Sequence, residues 1–548
     1  MPKITIDDKE ISVEGGTNII AAAQRLGIEV PHYCYHPGLS VAGACRMCLV
    51  EIEKMPKLQT GCSTLATEGM VIKTIAHSAK AKAAVQGVLE LTLINHPLDC
   101  PVCDQAGECG LQDYYMKYGL YNSRMRDAKV KKEKKASALG PHVMLDQERC
   151  ILCSRCVRFT HEITKTNEIG IFNRGDHSYI DVVNGRSLEN NYSGNVVDIC
   201  PVGALTDRDF RFQCRVWYLQ ESDSICPGCS TGCNIKIHFN VRRRHIAGGR
   251  RVQRLKPRFN EAVNQWWMCD EGRYAYPSID ENRITTPSAR LAAAHQRMDW
   301  RDAIDQMALA LREALAAYGP ESVGVIASPQ LTNEDLYLIK KLFVDVLGIA
   351  AVDYRMPPNR SAKNDDFLLR ADRNPNTLGA HLIGLSPFGK EISTPRILEA
   401  AAGGRLQVLY VFSTDLVAVY GEAPIANMAA HVPLMIYQGT NHNRTSTLAH
   451  LVLPAAIYAE KNGTFTNYAG RVQHLKPAFA PLAEAMPDWK ILCKLAQALG
   501  HDFRYADEEA IFEELANSQP AFAGITYAGI GSHGWPIEKE RVLSFVTA

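Results

Sequence analysis

Cysteine placement constrains the fold of this chain more than any other feature, because all but one of its seventeen cysteines fall between Cys34 and Cys269. The N-terminal sequence MPKITIDDKEISV lacks the charged and apolar regions of a secretory signal. A chain without an export signal is expected to meet a reducing cytosol, where disulfides are rare. We therefore interpret the clustered cysteines as metal ligands, which the fold has to bring together in sets.

The first set contains three cysteines on one long loop and a fourth further along the chain. This is the general pattern of a plant-type [2Fe–2S] site, although the first gap is longer than the usual four residues. A Rieske pair beginning at Cys34 and His36 would need a histidine where Cys48 stands. Zinc is the other alternative for any single quartet. The spacing favours a [2Fe–2S] site at Cys34, Cys45, Cys48 and Cys62.

The second set lies in the segment HPLDCPVCDQAGEC. A lone histidine before a C-x2-C pair is commonly a bystander or a zinc ligand. A neutral imidazole can also replace one thiolate on an iron–sulfur cluster, which makes the cluster less negative and raises its potential. Glycine and proline around these residues suit a backbone that wraps tightly around an inorganic cube. The candidate [4Fe–4S] ligands are His96, Cys100, Cys103 and Cys109.

The third set has the most specific spacing in the chain. Its run C-x2-C-x2-C is typical of bacterial ferredoxins, and zinc sites rarely use three cysteines so closely spaced. Only one such run occurs, and a Cys-Pro pair follows 44 residues after it. We predict one [4Fe–4S] cluster held by Cys150, Cys153, Cys156 and Cys200.

The fourth set begins in CPGCSTGC and closes in WWMCDEGRYAY. A zinc ribbon is the competing interpretation, because two cysteine pairs can hold zinc. The three-residue gap and the third clustered cysteine favour iron–sulfur. The candidate [4Fe–4S] ligands are Cys226, Cys229, Cys233 and Cys269.

Two unassigned cysteines, a glycine pattern and an arginine-rich segment are interpreted as structural features rather than as functional sites. Cys214 and Cys493 fit no set and are expected to be small buried hydrophobic residues. The G-x-G-x-x-G pattern that begins at Gly529 has no room after it for the βαβ unit that binds a dinucleotide. The seven arginines of residues 242–258 fall between ligands of the fourth set, and we expect a solvated hairpin or a subunit contact rather than a nucleic-acid site.

Length and charge limit the classes of function. A chain of 548 residues is expected to form several domains, and the 46% hydrophobic content is normal for folded domains. The formal net charge of +1 provides no general attraction to nucleic acid or to an anionic membrane. No apolar run approaches the roughly 18 residues that are needed to cross a bilayer.

Hydrophobic patterns predict two kinds of structure. Residues 3–6, 10–13, 49–52 and 71–74 are predicted strands around a helix near residues 18–26, and a further helix is predicted over residues 79–94. After Asp299, amphipathic helices such as residues 300–318 alternate with short apolar strands such as residues 322–328 and 406–412. This alternation is typical of an α/β fold with a mostly parallel sheet.

Together these motifs resemble one known family. The segments PHYCYHPGLSVAGACRMCLVEIEK, NHPLDCPVCDQAGECGLQDY and ERCILCSRCVRF, in that order, are similar to the large iron–sulfur subunit of NADH:quinone oxidoreductase (respiratory complex I), the 75-kDa subunit family. CPGCSTGCNI and CDEGRYAY resemble the [4Fe–4S] motif of molybdopterin oxidoreductases, and so does LPAAIYAEKNGTFTNYAGRVQ further on. All four ligand sets match the family without a missing ligand.

The resemblance implies a multidomain protein of α/β and α+β class. It implies a β-grasp [2Fe–2S] ferredoxin-like domain, a [4Fe–4S] segment with one histidine and three cysteine ligands, a bacterial-ferredoxin-like [4Fe–4S] domain, a [4Fe–4S] domain of the molybdenum-enzyme type, and a shortened, degenerate molybdopterin-oxidoreductase-like α/β domain. The expected bounds are residues 1–78, 79–140, 141–218, 219–275 and 276–548.

The resemblance also implies a function. One [2Fe–2S] and three [4Fe–4S] clusters would relay electrons one at a time from an NADH/FMN flavoprotein subunit towards quinone-side subunits. The fourth cluster would lie off the main path. The other peripheral-arm subunits, including a small [2Fe–2S] subunit, would be the partners, on the cytoplasmic side of the bacterial inner membrane. We expect no catalytic residue, no NADH or quinone site and no molybdenum on this chain.

Three alternatives remain open at this point. A formate dehydrogenase subunit would need a complete molybdenum domain with a cysteine or selenocysteine metal ligand, and after Cys269 only Cys493 remains. An iron-only hydrogenase subunit would need further cysteine motifs downstream. A zinc-binding scaffold would contain zinc instead of iron.

Overall fold

The computed structural model describes residues 1–292, 294–357, 362–386, 392–538, 540 and 542. Two compact units make up the chain, Met1–Leu219 and Gln220–Ala548. None of the helices in these ranges is both long enough and apolar enough to cross a bilayer. The finer division into five domains stays a prediction.

The first unit begins with a five-stranded sheet in the order β2-β1-β5-β3-β4 that packs on one helix. Asn18 caps this helix, because its side chain accepts a hydrogen bond from the backbone N–H of Ala21. The predicted strands and helix are confirmed within one residue at each end, in the β-grasp arrangement. The elements are β1 (Lys3–Ile6), β2 (Lys9–Ser12), α1 (Ile19–Arg25), β3 (Leu49–Ile52), β4 (Gln59–Thr60) and β5 (Val71–Lys73).

The rest of the first unit contains short elements separated by the ligand loops. A three-stranded sheet β10-β7-β6 and a two-stranded ribbon β8-β9 form there. The predicted helix over residues 79–94 is confirmed as α2. The elements are α2 (Ala79–Leu93), α3 (Gly110–Tyr118), β6 (Ser137–Ala138), β7 (Val143–Leu145), α4 (Arg155–Arg158), β8 (Ile169–Phe172), β9 (Tyr179–Val182), α5 (Asn195–Ile199) and β10 (Leu205–Asp207).

The second unit begins with an antiparallel three-stranded sheet, β11-β12-β13. The arginine-rich segment covers the loop between its second and third strands and the third strand itself. Arg242, Arg243 and Arg244 are exposed in the loop, as expected of a solvated hairpin, whereas Arg251 and Arg254 are buried. A short helix follows the last ligand of the fourth set. The elements are β11 (Gln220–Ile225), β12 (Asn234–Phe239), β13 (Val252–Pro257) and α6 (Asp270–Arg273).

A seven-stranded sheet in the order β15-β14-β20-β19-β18-β16-β17 forms the centre of the second unit. Its last five strands are parallel, and β18 is buried along its whole length because separate hydrophobic clusters cover both faces. The predicted α/β fold is confirmed. The strands are β14 (Ser288–Leu291), β15 (Ala294–Arg297), β16 (Val323–Ile326), β17 (Val352–Asp353), β18 (Val408–Phe412), β19 (Leu434–Gly439) and β20 (Leu451–Pro454).

Helices surround this sheet, and the helix predicted over residues 300–318 has those bounds. They are α7 (Trp300–Tyr318), α8 (Asn333–Ile339), α9 (Thr377–Ile383), α10 (Thr394–Ala402), α11 (Leu416–Tyr420), α12 (Glu422–His431), α13 (Arg444–Leu448), α14 (Asp488–Ala498), α15 (Glu508–Ser518) and α16 (Tyr527–Ile530). A third sheet contains β21 (Gly463–Thr466), β22 (Arg471–Leu475) and β23 (Trp535–Pro536). The G-x-G-x-x-G pattern begins in α16 and leads into β23, so no βαβ unit follows it in the described residues.

Candidate metal centres

The first set of ligands lies beside the sheet of the first unit. The backbone N–H of Cys34 points at the sulfur of Cys45, 3.4 Å away. A sulfur–sulfur hydrogen bond lowers the pKa of Cys34 and raises that of Cys45, and a second one lowers the pKa of Cys62 and raises that of Cys48. The fold therefore brings all four thiols of this set into one group, in two hydrogen-bonded pairs.

The second set surrounds the start of α3. Burial raises the pKa of Cys109 to about 11 and lowers the pKa of His96 to about 4, so this imidazole is neutral at neutral pH. Among the described residues, the buried Nδ1 atom of His96 has no hydrogen-bond partner. His96, Cys100 and Cys109 line the same cavity. A buried, unpaired and neutral ring nitrogen beside cysteines has the chemistry of a metal ligand.

The third set lines one apolar cavity, to which all four of its cysteines contribute. Burial raises the pKa values of Cys150 and Cys200 to about 12. Buried thiols ionise only beside a strong positive charge, which bound iron would supply. Four cysteines that line one cavity match the number of ligands of a [4Fe–4S] cluster.

The backbone of the third set turns sharply between its cysteines, as a loop that wraps around a cluster must. Leu152 and Ser154 adopt left-handed conformations, with φ values of 53° and 61°, so that the chain turns sharply between successive ligands. The N–H of Leu152 points at the sulfur of Cys150 at 3.4 Å. Such N–H···S contacts are among the features that set cluster potentials.

The fourth set lies entirely in the second unit. Cys269 caps α6, where the N–H of Gly272 lies 3.4 Å from its sulfur, and burial raises its pKa to about 12. Two buried amides from the β21–β22 region support the loop between Cys229 and Cys233. Asn467 donates to the carbonyl of Thr231 at 3.1 Å, and Gln473 donates to the carbonyl of Gly232 at 2.9 Å. Residues 276–548, which resemble molybdopterin oxidoreductases in sequence, are called the molybdopterin-like region. This region therefore supports the loop of the fourth set through hydrogen bonds.

The second and third sets meet at the segment after Cys200. The N–H of Gly110, directly after the predicted ligand Cys109, donates to the carbonyl of Pro201 at 3.0 Å. Gly203 lies against the sulfur of Cys103. One short segment thus contributes a predicted ligand to the third set and packs beside two predicted ligands of the second.

Sequence reasoning missed the residues that join the sets, namely Arg155, Arg158 and Gly203. The sequence signal for the two arginines was the motif SRCVRF, in which they stand on either side of Cys156. Their hydrogen bonds reach the loop of the first set, more than a hundred residues earlier in the chain. Cys214 and Cys493 are buried, and Cys493 packs in the core of the second unit, as expected. No group of three or more His, Cys, Asp or Glu side chains in the described ranges is positioned to hold a metal ion.

Four family models match parts of the chain. They are the 2Fe-2S iron-sulfur cluster binding domain over residues 2–77, the NADH-ubiquinone oxidoreductase-G iron-sulfur binding region over residues 86–124, the NADH-quinone oxidoreductase subunit 3 ferredoxin-like domain over residues 140–206, and molybdopterin oxidoreductase over residues 376–498.

Similar solved structures include an NAD+-reducing [NiFe]-hydrogenase in the H2-reduced state, with 27% identity, a TM-score of 0.36, and coverage of 39% of this chain and 91% of that one. Acetylene hydratase from Pelobacter acetylenicus has 11% identity, a TM-score of 0.40, and coverage of 58% and 74%.

Relatives extend over most of the chain. The mitochondrial NADH-ubiquinone oxidoreductase 78 kDa subunit of Neurospora crassa is 29% identical over 95% of this chain and 84% of its own length. The G subunit of NADH-quinone oxidoreductase from Rickettsia bellii is 29% identical over 96% and 90%. The corresponding G subunit of Streptomyces coelicolor is 40% identical over 67% of this chain and 42% of its own length. The chain belongs to the family of large iron–sulfur subunits of NADH-quinone oxidoreductase, known as the G subunit or the 78 kDa subunit.

Proposed function

We propose that this chain is the electron-relay subunit of an NADH:quinone oxidoreductase. It takes electrons one at a time from a partner that oxidises NADH at FMN and passes them towards clusters on the quinone side. The observation that carries this proposal is the joining of three ligand sets within the first unit. Arginines link the first set to the third, and the segment 200–203 links the third to the second. Adjacent redox sites suit a relay better than three separate active sites.

The four sets are proposed to hold one [2Fe–2S] and three [4Fe–4S] clusters, which supply one-electron chemistry when bound. Cys34, Cys45, Cys48 and Cys62 are the [2Fe–2S] ligands in this assignment. The [4Fe–4S] ligands are His96, Cys100, Cys103 and Cys109 in the second set, Cys150, Cys153, Cys156 and Cys200 in the third, and Cys226, Cys229, Cys233 and Cys269 in the fourth.

The surrounding residues support this role in two ways. Apolar side chains such as Leu145, Ile180 and Val202 line the cavity at Cys156 and Cys200, so nearby charges are screened less there than in water. Backbone N–H groups point at the sulfurs of Cys45, Cys150 and Cys269 and would stabilise negative charge there. Cluster potentials are set by such hydrogen bonds and by burial.

Partner subunits would complete the reaction. In this proposal, the chain contacts an NADH/FMN flavoprotein subunit, a small [2Fe–2S] subunit and quinone-side subunits on the cytoplasmic side of a bacterial inner membrane, to which the complex attaches it. The molybdopterin-like region acts as a scaffold without molybdenum. The hydrogen bonds from Asn467 and Gln473 to the fourth ligand loop support this scaffold role.

Metal analysis of the anaerobically purified chain, together with NADH reduction of the intact complex, tests the proposal. We expect about fourteen iron atoms per chain, two from the [2Fe–2S] site and four from each [4Fe–4S] site, with matching acid-labile sulfide. NADH should reduce the EPR-active clusters. The matched variant Cys153→Ala should remove about four iron atoms. A zinc-rich, iron-poor chain would refute the proposal, and so would clusters that NADH leaves oxidised while the flavin partner is intact.

A further inference from the structure

Two arginines of α4 connect the third ligand set to the loop of the first. Arg155 donates to the carbonyl of Ile199 at 3.0 Å and also to the carbonyl of Tyr35. Arg158 donates to the carbonyls of Cys34 and Ser40, and lies 3.4 Å from the carbonyl of Cys153. One guanidinium therefore contacts the backbone of a ligand from each of two sets.

The position of Arg158 is fixed from several sides. Its Nε donates to the hydroxyl of Ser154 at 3.2 Å. Glu162, one turn further along, accepts from both the N–H and the hydroxyl of Ser40, with the N–H contact at 2.8 Å. The fork geometry of a guanidinium suits simultaneous contacts to several carbonyls, which a lysine ammonium reproduces less well. This side chain is half-buried, so solvent screens its charge only partly.

We propose that Arg158 is a positioning residue shared by the first and third ligand sets, where it holds the two loops together and sets the reduction potentials of both sites in common. The inference rests on the function proposed above. Reduction adds negative charge to a cluster, so a fixed positive charge nearby favours the reduced form. A single arginine between two sites raises the reduction potentials of both. The two potentials therefore stay similar, and electrons can pass from one site to the next.

Redox titration of the full complex, followed by EPR, tests this inference. In Arg158→Gln, which keeps a hydrogen-bond donor but loses the charge, both signals should shift to lower potential. We expect at least a tenfold change in the ratio of reduced to oxidised form at a given potential, which is about 59 mV for one electron. Arg158→Lys keeps the charge and should recover at least half of each shift. Loss of a signal in Cys153→Ala identifies the signal of the third set.

Arg186→Gln is the matched control, because it removes one exposed arginine charge from the same unit. It should leave both potentials unchanged. If Arg158→Gln shifts only one signal or neither, or if the control shifts both equally, the inference is overturned.

If the Arg158→Gln variant fails to bind a cluster, the Glu162→Gln variant is titrated in its place. This variant removes the negative charge at the same junction, and both potentials should then rise. Unchanged potentials would overturn the inference. Wild-type protein without iron or EPR signals would instead refute the proposed function, so the two failures are distinguishable.

Discussion

Gly203 packs so closely on Cys103 that a Cβ atom at position 203 would stand 2.2 Å from the cysteine sulfur. The two residues are a hundred positions apart, in the segments that provide the third and second ligand sets. No side chain fits there without moving the sulfur or the backbone. This contact, together with the hydrogen bond from Gly110 to Pro201, makes the geometry of one ligand set depend on the other.

Gly203→Ala should therefore impair the second set first. We expect loss or distortion of the EPR signal assigned to His96, Cys100, Cys103 and Cys109, because the added methyl group displaces the Cys103 sulfur. Gly87→Ala is the control, since a Cβ there meets no atom within 4 Å. Redox-titrated EPR of the two variants measures the difference. Identical spectra for the two variants would show that the loop accommodates the methyl group without displacing the Cys103 sulfur.

Gly272→Ala tests the fourth set in the same way. A Cβ at position 272 would lie 2.8 Å from the sulfur of Cys226, whereas one at Gly228 would lie 3.5 Å from it, at ordinary contact distance. We expect Gly272→Ala to lose about four iron atoms per chain and Gly228→Ala to retain them. Iron analysis under anaerobic conditions compares the variants. Equal iron contents would contradict the expected crowding at Gly272.

His96→Cys should retain a cluster but lower its potential. An added thiolate makes the cluster more negative than the neutral imidazole does, which favours the oxidised state. His36→Cys is a suitable control, because burial also lowers the pKa of His36 to about 4, but that residue belongs to no set. EPR-monitored titration measures both variants. Unchanged signals in His96→Cys would exclude His96 as a ligand.

Lys461 is the central cation of a buried ionic group in the second unit. Its ammonium lies 2.8 Å from a carboxylate oxygen of Asp335 and 2.8 Å from one of Asp488, and all three side chains are buried. Lys461→Met leaves two buried carboxylates without their cation and should cost about 3–5 kcal/mol of stability. The exposed Lys494→Met should change stability by less than about 0.5 kcal/mol. Denaturant-induced unfolding distinguishes the two, and equal midpoints would contradict the prediction.

The region from residue 276 onward is predicted to bind no molybdenum. After Cys269 the sequence offers only Cys493, which is buried in α14 within the hydrophobic core. Plasma mass spectrometry of the purified complex should find molybdenum and tungsten far below one atom per chain. A value near one, or reduction of the clusters by formate, would overturn this prediction.

The sequence by itself predicted the composition of the ligand sets, and it determined the type of most elements. Ligand spacing such as C-x2-C-x2-C and the alternation of strands and helices after Asp299 are local patterns, because a few neighbouring residues create them. The same locality explains why α1, α2 and α7 match their predicted ranges so closely. The family resemblance also rests on contiguous motifs.

Only the tertiary structure decided which sets are neighbours and what joins them. The contacts from Arg158 to Cys34 and from Gly203 to Cys103 link segments about a hundred residues apart, as do the ion pairs of Lys461 with Asp335. Spacing along the chain does not specify such pairs, because they depend on how complete elements pack together. A glycine is required at position 203 because the sulfur of Cys103, from another segment, occupies the space that a side chain would need.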